Sequence, residues 1–511
     1  MMFLLLGTGL FATEKPPSSS WGDIQLLRNA SRFAMSFDYD SCSCHAFEMT
    51  WDRRLQSYMV SVRVGLAHTV PGVSGFDSFD VVAFKGNVSL KEWDSSTVVY
   101  SKDAQYMGRG MYVAKVPVKW NGETSFQMQI YSSSRNSFVI ENEIQSIFPN
   151  KIFGSCKDQK PSHCFVGKPD FYNPQEWCHY TDTGHAFSLT CPKPQGTSCH
   201  YLQCAFYWNE ELEPLITEYP NLINPEDNQI KTISCSSSIK IPKESSPQLL
   251  PDCTSGTVDL FWNDNRPQAL NCRLDPAMMS FQNFFEKFKT LNMTIIGDST
   301  SWQFVNWGLC NKSPGFKRGR EYELCQGNSD KFVYQDCDSC KNPDTNQVLT
   351  WRFHDQPYLF PEPIPRNSET IGEFLDQEPA GNVVTVSMGF HYLASVPLKL
   401  VKKQIKAVVK SMARNQKRGL IVLWKSQFPR TNRWDIPFQI PARSFQLESY
   451  AREQCQAYGV PYLSVWNLIT SKLYLQAEVH PHWPAVEGQC FATLAYVSAL
   501  IEEKNKNPTF P

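Results

Sequence analysis

Two short stretches of the chain carry groups suited to nucleophilic chemistry. Gly297-Asp298-Ser299 follows the apolar run Met293–Ile296 and precedes a helical stretch. A serine in such a turn lies near a helix N-terminus, whose unpaired N–H groups favour a developing oxyanion. A serine hydroxyl needs a base. Val479-His480-Pro481-His482 stands just ahead of the last helical pattern. A histidine at the mouth of a final helix can return to the sheet edge that carries the serine, and the pair means more than either member. The tripeptide by itself reads equally well as a strand-to-helix turn with Asp or Ser as N-cap. GxSxG, HExxH and Walker A sequences are absent.

Groups so far apart in the chain need a sheet to bring them together. Asn382–Met388 is apolar enough for a buried parallel strand. Pro397 opens a helix with Val401, Ile405, Val408, Val409 and Met412 on one stripe. Gly419 ends it, and Leu420–Trp424 is a strand. Ala442–Tyr458 reads as a helix closed by Gly459, Tyr462–Val465 as a strand, and Ala485–Glu502 as the final helix. This alternation predicts a mostly parallel sheet covered on both faces, with sites at the carboxyl ends of its strands.

The front of the chain has a different period. Tyr112, Ala114, Val116 and Val118 alternate with other residues; Asn121-Gly122 follows, a strong hairpin signal; then Phe126, Met128 and Ile130 alternate. Tyr58–Leu66 and Phe79–Phe84 are further strands. Short strands between turn residues predict an immunoglobulin-like β-sandwich over 33–150. Residues 151–265 are rich in Cys, Pro, Tyr and Trp and lose regular periodicity, as a disulfide-stapled connector would. Within them Ser237–Asp252 reads as a surface loop. The α/β domain then occupies 266–505, and 1–20 is a leader plus linker.

Composition bounds the function. Among 511 residues, Lys+Arg is 49 and Asp+Glu is 50, so the net charge of −1 gives no support to a nucleic-acid partner. Apolar content of 41% excludes global disorder. The interior holds no apolar run long enough for a polytopic membrane protein. Thirteen of the 17 cysteines fall between Cys156 and Cys340, a density that predicts disulfides in an oxidising compartment; the odd count leaves a thiol over. Cys337-Asp-Ser-Cys340 is the one CxxC, with no second CxxC or His pair nearby, so no metal and no cofactor is expected. Met1–Ala12 resembles the apolar core of a signal peptide, or the stump of a signal anchor, which makes an N-terminal segment the most membrane contact expected. Sequons stand at Asn29, Asn87, Asn292 and Asn311. Asn292 borders an apolar strand and Asn311 has Pro314 just after its sequon, which favours Asn29 and Asn87 as glycan carriers.

A family resemblance joins these features. Phe261–Pro267 (FWNDNRP), Met293–Phe304 (MTIIGDSTSWQF), Val386–His391 (VSMGFH) and Glu478-Val479-His480-Pro481 occur in the order seen in the NXPE family, the neurexophilin and PC-esterase domain proteins. Tyr112–Gly122 resembles that family's immunoglobulin-like region. The resemblance implies a C-terminal SGNH-type, PC-esterase-like domain, associated with O-acetyl transfer to glycans or acetyl-ester cleavage from them. Ser299 then resembles the nucleophile, Asp298 the Asp of its block, Gly389 a backbone oxyanion donor with His391 beside it, and His480 the general base. The reaction would be ping-pong through an acyl-enzyme.

The chain departs from the family pattern at several places. Trp302 stands where the family has Arg, which removes a cation suited to an anionic sugar or acyl carrier. SGNH enzymes often place Asp three residues before the histidine; here that residue is Ala477, and the nearest acid is Glu478. Ser464 and Asn467 stand where the family has aspartates, beside Trp466. Two functions follow. One is a secreted or Golgi/ER-luminal glycoprotein that acts as a glycan O-acetyltransferase or acetylesterase, its partners a glycan or glycoprotein acceptor and, for transfer, an acetyl donor. The other is a catalytically degenerate member used in extracellular recognition or adhesion.

Overall fold

The computed structural model describes residues 42–66, 78–86, 97–101, 103–108, 111–132, 151–156, 162–166, 173–182, 187–193, 204–205, 231–243, 249–254, 256–318, 337–353, 371–388, 398–427, 441–470 and 483–506. Seven strands form the front: β1 (Ser43–Asp52), β2 (Ser57–Gly65), β3 (Ser78–Lys85), β4 (Val98–Tyr100), β5 (Asp103–Gly108), β6 (Met111–Val118) and β7 (Gly122–Ser132). One antiparallel sheet runs β1-β2-β6-β5, and β3 joins β4 and β7 in a second. Val60, Val62, Val64, Ala114, Val116 and Val118 of the first sheet share a core with Phe79, Val81, Phe126, Met128 and Ile130 of the second.

The hairpin expected at Asn121-Gly122 is corrected. β6 pairs with β2 and β5, whereas β7 pairs with β3, so the turn carries the chain from one sheet to the other. Trp120 is buried there, and its indole N–H donates to Thr124 Oγ1 at 2.9 Å. Both strands alternate apolar residues toward one core, so the pattern is the same for a hairpin and for a crossing between sheets.

Strands continue through the cysteine-rich region, where composition suggested irregular chain. β8 (Lys151–Cys156), β9 (Ser162–Val166), β10 (Trp177–Asp182), β11 (Phe187–Pro192) and β12 (Cys204–Ala205) form an antiparallel sheet ordered β10-β11-β9-β8-β12. β13 (Lys231–Ser234) and β14 (Ile239–Ile241) both pair with β7. The surface loop expected over Ser237–Asp252 therefore holds a strand, with Ile241 buried. The Cys44–Cys235 disulfide and a bond from the Ala46 N–H to Ser237 Oγ at 2.8 Å tie this return to β1.

β15 (Thr257–Asn263) and β16 (Arg266–Ala269) are a tight hairpin whose turn residues Asp264 and Asn265 both have positive φ, the type I′ requirement. The α/β region then alternates α1 (Phe281–Lys287), β17 (Met293–Gly297), α2 (Ser299–Gln303), a π-helical turn (Phe304–Cys310), β18 (Lys317–Arg318), β19 (Cys337–Lys341), β20 (Val348–Phe353), α3 (Ile371–Gln377), β21 (Val383–Val386), α4 (Leu398–Lys417), β22 (Ile421–Lys425), α5 (Pro441–Tyr458), β23 (Tyr462–Ser464), α6 (Trp466–Thr470) and α7 (Trp483–Lys506). Parallel pairing gives the order β20-β17-β21-β22-β23, with β15 parallel at the far edge of β23 and β19 antiparallel beside β20. Counted along the chain from β17 this is 2-1-3-4-5, a doubly wound order whose switch point lies between β17 and β21. β15 also meets β4 through Trp262 and Val98, so the parallel sheet continues into the front.

Successive strand residues feed two cores. Ile295, Val383, Leu423 and Leu463 face α7 and α1; Ile296, Val384, Val422 and Trp424 face α3, α4 and α5. Val401, Ile405, Val408, Val409 and Met412, the stripe expected on the helix after Pro397, are all buried.

Candidate functional site at the carboxyl edge

β17 is fully buried and stops at Gly297 because Asp298 begins a helix. Asp298 has extended φ and ψ (−80°, −165°), and its Oδ1 accepts from Thr300 N at 2.9 Å, Ser301 N at 3.2 Å and Thr300 Oγ1 at 2.5 Å. Its carbonyl accepts from the Trp351 indole at 3.1 Å and from Trp302 N at 3.0 Å. Asp298 is thus the N-cap of α2, and Ser299 is the first helical residue. The N–H groups of Thr300 and Ser301 are taken up by the cap, so of the first three N–H groups of α2 only that of Ser299 is left over by it.

The turn is tight. A Cβ on Gly297 would lie 2.3 Å from Ser301 Oγ and 2.5 Å from the Ser387 carbonyl. Ser387 N in turn donates to the Ile296 carbonyl at 2.8 Å. Glycine lets the ends of β17 and β21 close on the first turn of α2, at the switch point where doubly wound sheets bind their ligands.

Lys425, at the end of β22, is a charged group that sequence reading missed. It is 1% exposed. Its ammonium donates to Gln489 Oε1 on α7 at 3.3 Å and lies 5.3 Å from the centre of the Phe304 ring. Burial lowers its pKa to about 8, opposed chiefly by the charge of Asp298. Its sequence signal is a lysine ending the apolar run Ile421–Trp424. Glu448 on α5 is buried as well; burial raises its pKa to about 7, and it accepts from the Tyr462 hydroxyl. Cys490 is a buried thiol pushed far upward by burial, hence uncharged at neutral pH, with Sγ 3.7 Å from the Phe304 carbonyl.

Further polar groups are sealed along the same edge. Ser301, Ser387 and Gln427 are buried, and Ser301 Oγ, Ser387 Oγ and both amide atoms of Gln427 have no hydrogen-bond partner among the described residues. The same holds for Asp298 Oδ2. Ser426 Oγ accepts from the N–H groups of Val465 and Trp466 at 2.8 and 3.2 Å, joining β22 to the start of α6.

The expected site residues divide between described and undescribed chain. Asp298, Trp302 and the backbone of Ser299 are together at the switch point. Gly389 and His391 follow Met388, the last described residue after β21; Glu478 and His480 precede α7; all four lie outside the described residues, as do Asn29 and Asn87. Gln489 and Cys490 bring the early turns of α7, which starts three residues after His480, to the carboxyl end of β22 and to the π turn that follows α2. Asn292 is half-buried and its Oδ1 accepts from Val348 N at 3.0 Å, whereas Asn311 is exposed. Trp262 of the FWNDNRP stretch is buried, and its indole donates to the Leu468 carbonyl at 2.8 Å, anchoring α6.

Three disulfides are present among the described residues: Cys44–Cys235, Cys253–Cys272 and Cys310–Cys340. No helix among those residues is long and apolar enough to cross a membrane. No curated protein matches the chain. Residues 268–497 match the family described as NXPE family member 4-like, C-terminal domain. That stretch runs from β16 to α7 and includes Gly297-Asp298-Ser299, Lys425 and Gln489, so the C-terminal domain of the chain is similar to that of the NXPE family.

Proposed function

We propose that the C-terminal domain is an SGNH-type, PC-esterase-like acyl-enzyme domain that transfers acetyl groups to glycans or cleaves them off. The observation that carries this reading is Gly297-Asp298-Ser299 at the switch point of a 2-1-3-4-5 parallel sheet, inside a domain similar to that of the NXPE family. Ser299 attacks the acetyl carbonyl and His480 takes its proton. The Ser299 N–H, with that of Gly389, holds the oxyanion. His480 passes that proton to the departing alcohol or carrier. Water or a sugar hydroxyl, its own proton taken by His480, then attacks the acyl-enzyme, and the proton returns to the Ser299 oxygen as the acetyl group leaves. Glu478 stands in for the orienting carboxylate, and Trp302 and His391 meet the substrate. An immunoglobulin-like sandwich over 33–150 and a cysteine-rich segment over 151–265 precede the 266–505 domain. The three disulfides support a secreted or luminal setting, with glycans at Asn29 and Asn87.

A second reading is a degenerate member used in recognition. It draws on Ala477, Ser464 and Asn467, three positions without the acids the family pattern carries. A serine-directed fluorophosphonate separates the two. The acyl-enzyme reading expects labelling of Ser299 in native protein and none in Ser299→Ala. A wild-type serine that resists the probe sinks it.

A further inference from the structure

Trp302 and Trp307 lie on the helical segment that starts at Ser299. Their ring centres are 6.2 Å apart and their planes meet at 63°. Trp302 is partly buried against the core below α7, and Trp307 is 43% exposed. The other large apolar side chains described as exposed, Phe47, Met107 and Leu249, all precede the α/β region.

Helix geometry makes this pairing unusual. In an α-helix, residues five apart are rotated by about 140° and point to different sides. Here the chain changes to π-helical bonding over Phe304–Cys310, and bonding from i to i+5 carries Trp307 round to Trp302. The same segment buries Phe304, Val305 and Leu309 beneath it. It is fixed at its end by the Cys310–Cys340 disulfide. It also presses on α7 at Gly308, where a Cβ would lie 2.3 Å from Cys490 Sγ. Single π turns of this kind recur at functional sites. The two indoles therefore form a firm corner, a floor and a wall, on the helix that carries Ser299. Trp302 is three residues from Ser299, about 4.5 Å along the axis on neighbouring faces.

We propose that Trp302 and Trp307 are a binding corner for the C–H face of a neutral pyranose ring, the sugar whose acetyl group meets Ser299. Size and charge select this ligand. A patch of two indoles, one partly buried and the other 43% exposed, falls far below the roughly 800 Å² per partner of a stable protein interface. It matches a single sugar ring, whose C–H bonds carry slight positive charge toward the electron-rich indole face. Trp302 and Trp307 carry no charge to pair with a carboxylate, so the corner selects neutral rings. The inference rests on the acyl-enzyme reading for its place in the reaction, but sugar binding at Trp307 can be measured without turnover.

The test is saturation-transfer NMR on the full chain with mono-O-acetylated methyl glycosides of galactose, N-acetylgalactosamine and N-acetylglucosamine, beside the methyl glycoside of acetylated sialic acid. Wild type and Ser299→Ala should bind at least one neutral glycoside with equal Kd and the sialoside more weakly. Trp307→Ala should raise that Kd about tenfold, and Trp307→Phe should restore most of the affinity. Wild type that binds none of the neutral sugars, or an unchanged Kd in Trp307→Ala, overturns the proposal. Binding that appears only in Asn311→Gln also overturns it, because a glycan on the exposed Asn311 would then be the occupant of Trp307. A Ser299 that resists the fluorophosphonate while sugar binding persists defeats the acyl-enzyme reading and leaves the corner standing.

Discussion

The Lys425 ammonium donates to Gln489 Oε1 at 3.3 Å, with both side chains buried, and so joins the carboxyl end of β22 to α7. α7 is the helix that follows Glu478-Val479-His480-Pro481, and the charge of Asp298, the cap beneath Ser299, favours the charged form of Lys425. One buried cation therefore links the helix after His480 with the cap beneath Ser299.

That cation has a pH signature. Burial lowers the Lys425 pKa from 10.5 to about 8, so between those values the unfolded chain holds more protons than the native one. Stability contributed by this group rises with pH across that window, by about 3 kcal/mol at most. Lys119 is likewise lowered to about 8 by burial and adds a slope of the same sign. The difference between wild type and Lys425→Met isolates Lys425. Denaturant midpoints at pH 7.5 and 10 should rise more in wild type than in the variant; parallel slopes would contradict a charged, buried Lys425.

The closeness of β17, β21 and α2 depends on a missing side chain. Gly297→Ala puts a Cβ 2.5 Å from a backbone carbonyl that cannot swing away. Urea unfolding should show a loss of about 2–3 kcal/mol, and fluorophosphonate labelling of Ser299 should fall with it. A variant as stable and as readily labelled as wild type would mean that the turn is looser than described.

Ser299→Ala should abolish acetyl transfer or hydrolysis while stability changes by about 1 kcal/mol or less. His480→Ala should cost nearly as much activity, since such residues act as a unit. Glu478→Ala should lower turnover by about 10²–10⁴-fold if it orients His480. Turnover of an acetylated glycan that survives Glu478→Ala unchanged removes Glu478 from the site.

Backbone register places Cys178 opposite Cys191 and Cys156 opposite Cys204 on neighbouring antiparallel strands. Opposed residues there have Cα atoms about 4.5–5.5 Å apart, inside the disulfide range. Peptide mapping under non-reducing conditions should recover both pairs along with Cys253–Cys272 and Cys310–Cys340. Recovery of these cysteines as free thiols would contradict an oxidising compartment.

Local sequence determined much of this protein. The apolar runs at Met293–Ile296, Asn382–Met388 and Leu420–Trp424, and the stripe from Val401 to Met412, became three parallel strands and a buried helix face. Burial on both faces demands uninterrupted apolar residues in such strands, and a helix face must repeat near 3.6. The turn at Asp298 was legible because a short acceptor side chain ahead of a helix satisfies free N–H groups within three residues. Tertiary structure alone decided what depends on distant partners. Apolar alternation states which face of a strand is buried but not which strand lies beside it, so Asn121-Gly122 joins two sheets instead of closing a hairpin. The strands at 151–205 hid in a stretch where cysteine and proline obscure the period. Lys425 is unremarkable at the end of a strand until α7 folds over it, because Gln489 and Phe304, which meet its ammonium, lie more than sixty positions away. The meeting of Trp302 and Trp307 needed the π turn, a change of hydrogen-bond register that side-chain pattern does not encode.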